Sequence, residues 1–203
     1  MSGWGFNQPT QKLVDAFDAV GDTIRKKASI RTQEFFQYMC DTAGVATQWQ
    51  GAVTGYWDAK HSLRVPFYLS QTQVNQNIIV LRYADVLLML AEAHNRNGND
   101  VLARTYLNEV RTRAGLPDVS AGGADLFEAI KKERQLELNL EGDRYFDLVR
   151  WGDAEKELGT ELYDLGGLTY ITGRPGVSTN GLLPIPQPEI DALGDPSFQN
   201  PGY

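Results

Sequence analysis

Apolar residues recur at helical spacing in several stretches of this chain and lose their period between them. In "PTQKLVDAFDAV", Leu13, Val14, Phe17 and Val20 fall on one face behind Pro9, which predicts a helix that Gly21 ends. Residues 22 to 75 carry no sustained period. They are rich in Gln, Thr, Gly and aromatics, among them Phe35, Phe36, Tyr38, Trp49, Tyr56, Trp57, Phe67 and Tyr68. This composition predicts irregular structure with short strands or turns, held by aromatic packing. An ordered loop region of that length points to function.

The period returns at Ile78. The run to Asn97 has apolar residues on nearly all sides, which predicts a central helix ended by Gly98. Asp100 is placed to cap a second helix, "VLARTYLNEVRTRAG", whose apolar face is Leu102, Ala103, Tyr106, Leu107 and Val110, with Gly115 and Pro117 closing it. A break this short forces an antiparallel hairpin. The pair fits the tetratricopeptide pattern, with Leu87 and Leu90 at large sites, Ala91 at the small site where helices touch, and Ala103 and Leu107 as their partners. A third helix is expected from about Ala124 to Leu140 and a fourth from about Asp143 to Trp151, hinged at Gly142. The tail, residues 166 to 203, is rich in Gly and Pro and should be extended, with one helical turn at "PEIDAL". The fold class is mostly α: helical hairpins over about 78–152, an aromatic loop region over 22–75, and the tail.

Charge narrows the function classes. Acidic residues outnumber basic ones, 26 to 19, for a formal charge of −7. A nucleic-acid or anionic-membrane binder needs a basic surface instead. One cysteine, Cys40, and two histidines, His61 and His94, supply neither an internal disulfide nor a zinc ligand set. Cys40 reads as a small buried hydrophobe. No secretory leader is visible at the start, and no run approaches the roughly 18 apolar residues of a membrane span. "MSG" joined directly to sequence of mid-domain character reads as an introduced start, so a fragment of a longer protein is expected.

Glu133, Glu137 and Glu141 lie four apart and form one stripe. Like charges at that spacing repel unless bases sit among them. Arg134, Arg144 and Arg150 are near in sequence, and Arg82, Arg111 and Arg113 are within reach of the first hairpin. A carboxylate pair for glycoside hydrolysis would need an open cleft and one carboxyl kept protonated. The alternative is an ion-pair network tying the helices together, and the arginines favour it. Nucleophile elbows, phosphate loops and dinucleotide fingerprints are absent, so no catalytic residue, metal or cofactor is assigned.

Five stretches occur in a telling order: "NIIVLRYADVLLMLAEAHNRNG", "LNEVRTRAGL", "KERQLELNLEGDRYFDLVRWG", "LLPIPQPEID" and "QNPGY". Together with "PTQKLVDAF" they resemble the C-terminal half of the SusD/RagB family over nearly all of residues 5 to 203. These are outer-membrane lipoproteins that capture glycans or peptides at the cell surface for a TonB-dependent, SusC-like transporter. The resemblance implies a non-enzymatic binding protein on the outer face of the outer membrane, held there by a lipid anchor that this chain lacks. It also implies a missing N-terminal half.

"TQWQGAVTGYWDAKHSLR" is the candidate ligand stretch. Flat aromatic faces suit the C–H faces of sugar rings, and hydroxyls pair with planar amide, carboxylate and guanidinium groups. Trp57, Tyr56 and Trp49 are the candidate platform, with Gln50, Asp58 and Arg64 as polar partners and Gln48 and Lys60 nearby. The competing reading is that these aromatics pin the loop to the helices. At the level of function the rival is a helical-repeat scaffold that binds a peptide or protein in its groove.

Overall fold

The computed structural model describes residues 7–43, 54–61, 77, 79–158, 161–164, 169–172 and 184–200. The chain divides into two compact units, Met1–Glu141 and Gly142–Tyr203.

The first unit is helical and carries one short two-stranded ladder. Helix α1 (Gln11–Asp18) is capped by Thr10, whose hydroxyl accepts from Leu13 N, and it buries Val14, Ala16 and Phe17 as the apolar spacing requires. Helix α2 (Thr23–Ser29) follows behind the cap Asp22, and strand β1 (Ile30–Thr32) leads into α3 (Gln33–Ala43). Strand β2 (Tyr56–Asp58) pairs antiparallel with β1, setting Ile30 opposite Asp58 and Thr32 opposite Tyr56.

Two regular helices therefore lie in the stretch expected to be irregular. Helix α2 escapes a periodicity reading because it hides no apolar stripe. Its buried residues are Arg25 and Ser29, while Ile24 is exposed. In α3, Phe35 and Tyr38 face solvent, so they do not mark a core face. Phe36 and Cys40 of that helix, and Phe67 and Tyr68, lie outside the described side chains.

Helices α4 (Tyr83–Arg96), α5 (Asp100–Arg113) and α6 (Gly123–Glu137) hold the main core. Leu87, Leu88, Ala91, Ala103, Leu107, Val110, Leu126 and Ile130 form one buried cluster. Ala91 and Ala103 are both fully buried, as the tetratricopeptide reading of the α4–α5 hairpin requires. Both helices end in glycine-closed turns. Gly98 (φ 74°) and Gly115 (φ 74°) adopt the left-handed conformation that satisfies the last carbonyls, with Asn99 N donating to His94 O at 2.8 Å and Leu116 N to Arg111 O at 2.9 Å. The α5 cap is Asn99, whose side chain accepts from Leu102 N; Asp100 instead accepts from Gly123 N and Asn95 Nδ2 and ties the hairpin to the start of α6.

The start of α4 also differs from the expectation. The helix begins at Tyr83 and not at Ile78, and Ile79, Val80 and Leu81 precede it as exposed, non-helical chain. Apolar content had stood in for helical period there. A second cluster, Val14, Ala16, Phe17, Ile30 and Leu136, joins α1 and β1 to α6.

The second unit opens with α7 (Arg144–Trp151), closed by Gly152 at φ 77°, and continues with α8 (Ala154–Leu158). Leu148 and Asp147 are buried, while Phe146, expected on the buried face, is exposed. Strands β3 (Glu161–Asp164) and β4 (Thr169–Thr172) form an antiparallel hairpin. The tail carries α9 (Gln187–Leu193) and a 3-10 turn at Pro196–Phe198. The Gln199 side chain joins them to the extended residues before α9, accepting from Ile185 N and donating to Ile185 O. Among the described residues no helix is long and apolar enough to cross a membrane.

Candidate functional site

The glutamate stripe is the centre of the first unit's polar chemistry. Arg25 on α2 points into the protein, where Nη1 donates to Glu133 Oε1 at 2.6 Å and Glu137 Oε2 at 2.8 Å, and Nε pairs with Asp22. From the other side, Arg82, just before α4, reaches Glu137 Oε1 at 2.5 Å and forks onto both oxygens of Glu141 at 2.8 Å. Arg111 donates to Glu133 Oε2 at 2.9 Å, and Arg113, at the end of α5, to both Glu137 oxygens at 2.5 and 2.6 Å. Glu137 thus accepts from three arginines carried by three separate parts of the chain.

Lys60 completes the ring. Its Nζ pairs with Glu141 and also donates to the carbonyls of Glu137 and Asn139, at 2.7 and 3.1 Å. These carbonyls lie at and just past the C-terminal end of α6, where a cation complements the helix dipole, and Arg82 Nη2 also donates to that of Glu137, at 2.6 Å. Leu140 takes a left-handed φ of 65°, so the chain doubles back after α6, and Asn7 Nδ2 donates to its carbonyl.

Burial alone pushes the Glu137 carboxyl up. Hydrogen bonds from Arg25 and Arg82, with the charges of Arg82 and Arg113, outweigh it and hold the group below the ordinary carboxylate range. Glu141 is held down in the same way, burial being overcome by Arg82 and Lys60. Lys60 is also shifted down, chiefly by burial, with the Arg82 charge adding to it against the pull of Glu141. Arg82 reconciles the two directions, since one cation favours the carboxylate and disfavours the neighbouring ammonium. Two carboxylates kept ionised do not supply the protonated acid that glycoside hydrolysis needs.

The network lines one wall of a cleft of about 490 Å³ contained within the first unit; Arg25, Ser29, Lys60, His61, Arg82, Arg113, Glu137, Asn139 and Glu141 contribute to it. That volume falls in the roughly 300–1,000 Å³ range of small-ligand sites. Two buried atoms of that lining, Arg25 Nη2 and Asn139 Oδ1, have no hydrogen-bond partner among the described residues. A buried polar atom left so costs about 1–3 kcal/mol.

Of the sequence-predicted ligand residues, β2 carries three. Tyr56 packs against the α1–β1–α6 cluster, and its hydroxyl donates to Gln11 Oε1 at 2.7 Å, so it anchors the strand. Trp57 is half-buried opposite Arg31 and, by strand alternation, faces away from Tyr56. The two rings therefore do not make a joint platform. Asp58 accepts from the backbone N of Lys60 and His61 and from the His61 ring, at 2.7 Å for each of the first and last, and shapes the turn that delivers Lys60. Trp49, Gln50 and Arg64 lie outside the described residues. Sequence reasoning named Arg82 and Arg113 as partners for the stripe but missed Arg25, Ser29 and Asn139. An arginine in place of an apolar residue on the inner face of α2 is a signal visible only once the helix is known.

Comparison with known proteins gives this geometry its relatives. The SusD family profile matches residues 23–203. Two SusD-like proteins of Formosa agariphila are 36% and 34% identical over 54% and 63% of this chain, and the chain spans only 24% and 26% of their lengths. A laminarin-binding SusD-like protein aligns over the whole chain and 40% of its own, at TM-score 0.70 and 32% identity. Surface glycan-binding protein A from Bacteroides thetaiotaomicron, solved with laminarihexaose, aligns over 87% of this chain and 38% of its own, at TM-score 0.62 and 30% identity. With helices, hairpin and sequence agreeing over nearly its full length, the chain belongs to the SusD family.

Proposed function

We propose that the chain is part of a glycan-capturing surface lipoprotein that holds an oligosaccharide at the outer membrane and passes it to a TonB-dependent, SusC-like transporter. It acts by binding, without catalysis. The observation that carries the reading is the alignment of the whole chain with a laminarin-binding protein at TM-score 0.70. The paired, ionised carboxylates support a binding role over a hydrolytic one. Within the chain, Trp57 is the ring proposed to meet the sugar, with Asp58 shaping the adjoining turn. Trp49, Gln50 and Arg64 remain its proposed companions.

Calorimetry with laminarihexaose tests this. Trp57→Ala is expected to abolish binding and leave the melting temperature nearly unchanged. Lost stability with binding intact would make Trp57 an anchor like Tyr56 and move the platform elsewhere.

A further inference from the structure

The cleft beside β2 has an uneven distribution of charge. Its lining holds four cations, Arg25, Lys60, Arg82 and Arg113, and two carboxylates, Glu137 and Glu141. The charged members also differ in depth. The side chains of Arg113, Lys60 and Arg82 are 60%, 25% and 23% exposed, whereas those of Glu141 and Glu137 are 13% and 3% exposed. Arg25, the fourth cation, is 7% exposed and lies as deep as the carboxylates, so the charge that faces solvent is carried by Arg113, Lys60 and Arg82. In a chain of net charge −7 this lining carries more cations than carboxylates, and a concave site walled by protein concentrates the field of such an excess. Arg113 is the least committed of the cations. Among the described residues its carboxylate partner is Glu137, which is held by Arg25 and Arg82 as well.

We infer that this cleft binds the acidic substituent, a carboxylate or a sulfate ester, of an anionic oligosaccharide. Arg113 is the principal donor, because its bonds to Glu137 run through Nη2 alone, and a guanidinium suits the oxygens of either group; Arg82, whose nitrogens are all engaged by Glu137 and Glu141, and Lys60 add positive charge. The inference rests on the glycan-binding reading and refines its ligand class. The position of the cleft supports it: Lys60 follows Trp57 by three residues, about 11 Å of chain at most, which a short oligosaccharide spans. Volume fits as well, since the cleft takes about one or two sugar units within the ordinary range of ligand pockets.

Calorimetry on the 203-residue chain with three probes decides it: a galacturonate oligosaccharide, a sulfated galactan oligosaccharide and neutral laminarihexaose. At least one anionic probe is expected to bind more tightly than the neutral one and to weaken as salt is raised. Arg113→Gln is expected to weaken that binding about tenfold, the loss of one charge-assisted contact, with Arg113→Lys recovering part of it. The melting temperature of both variants should match the parent, which separates a ligand contact from a structural role. The carboxylate and sulfate arms tell the two acidic groups apart. Neutral binding equal to or tighter than both anionic probes, or anionic affinity indifferent to Arg113→Gln, overturns the inference and leaves the glycan reading standing. No binding of any probe overturns the glycan reading and this inference with it.

Discussion

Glu137 shows how one residue organises its surroundings. It is almost fully buried, and three arginines from α2, the chain before α4 and the end of α5 converge on it. Removing Arg25, itself 7% exposed, would leave Asp22, Glu133 and Glu137 without their buried cation. Breaking a buried pair in this way costs about 3–5 kcal/mol. Arg25→Ala is therefore expected to lower stability by that amount in denaturant unfolding. Arg113→Ala removes a guanidinium that is 60% exposed and leaves Glu137 its other two arginines, so it should cost only about 0–1 kcal/mol. Equal losses from both would refute this division between buried and exposed members. The same carboxylates set the acid response. Glu137 and Glu141 titrate lower in the folded chain than in the unfolded one. Their contribution is complete above the unfolded value of about 4.3 and is lost as pH falls through the depressed folded values. Unfolding free energy should fall with acid over that window, and Glu141→Gln should flatten the fall. An unchanged acid slope in that variant would remove Glu141 from the account.

At the scale of the element, the α4–α5 hairpin depends on close backbone approach. Ala91 and Ala103 both have zero exposure in the shared cluster. A larger side chain there must displace its neighbours, so Ala91→Leu is expected to cost about 1–3 kcal/mol in a thermal melt. An unaltered melting temperature would count against the packing. This hairpin was legible in the sequence because every level agreed: apolar period, small residues at the contact, and Gly98 and Gly115 at the stops. The elements that were not legible break that agreement. Helix α2 buries an arginine, so its inner face looks polar. The chain before α4 is as apolar as a core helix but leaves Ile79, Val80 and Leu81 exposed. The β1–β2 ladder is three residues long and joins Ile30 to Asp58, a pairing that no local pattern encodes. The cleft inherits these difficulties. Lys60 stood beside the predicted ligand residues in sequence and Arg82 among the expected partners of the stripe, but Arg25, Ser29 and Asn139 reach the site from elements whose boundaries or inner faces the pattern obscured.

At the scale of the whole molecule, the first unit leaves several large apolar side chains exposed around the start of α4. Val80 is 92% exposed, and Ile79, Leu81 and Tyr83 are each 60% or more. Met89 and Leu90 on α4 add to the patch, and Leu90 lies two turns beyond Tyr83 on the same face. Exposed apolar side chains in this number suit a contact with another protein surface. Exposed apolar side chains favour self-association, since burying them against a second copy removes apolar area from water. The 203-residue chain is therefore expected to associate as its concentration rises in sedimentation velocity runs. Val80→Ser with Leu81→Ser should return it to monomer without lowering its melting temperature, because neither side chain packs into the buried clusters. A parent chain that stays monomeric throughout would mean that these residues are tolerated in water as they stand, and would separate the exposed strip from any role in assembly.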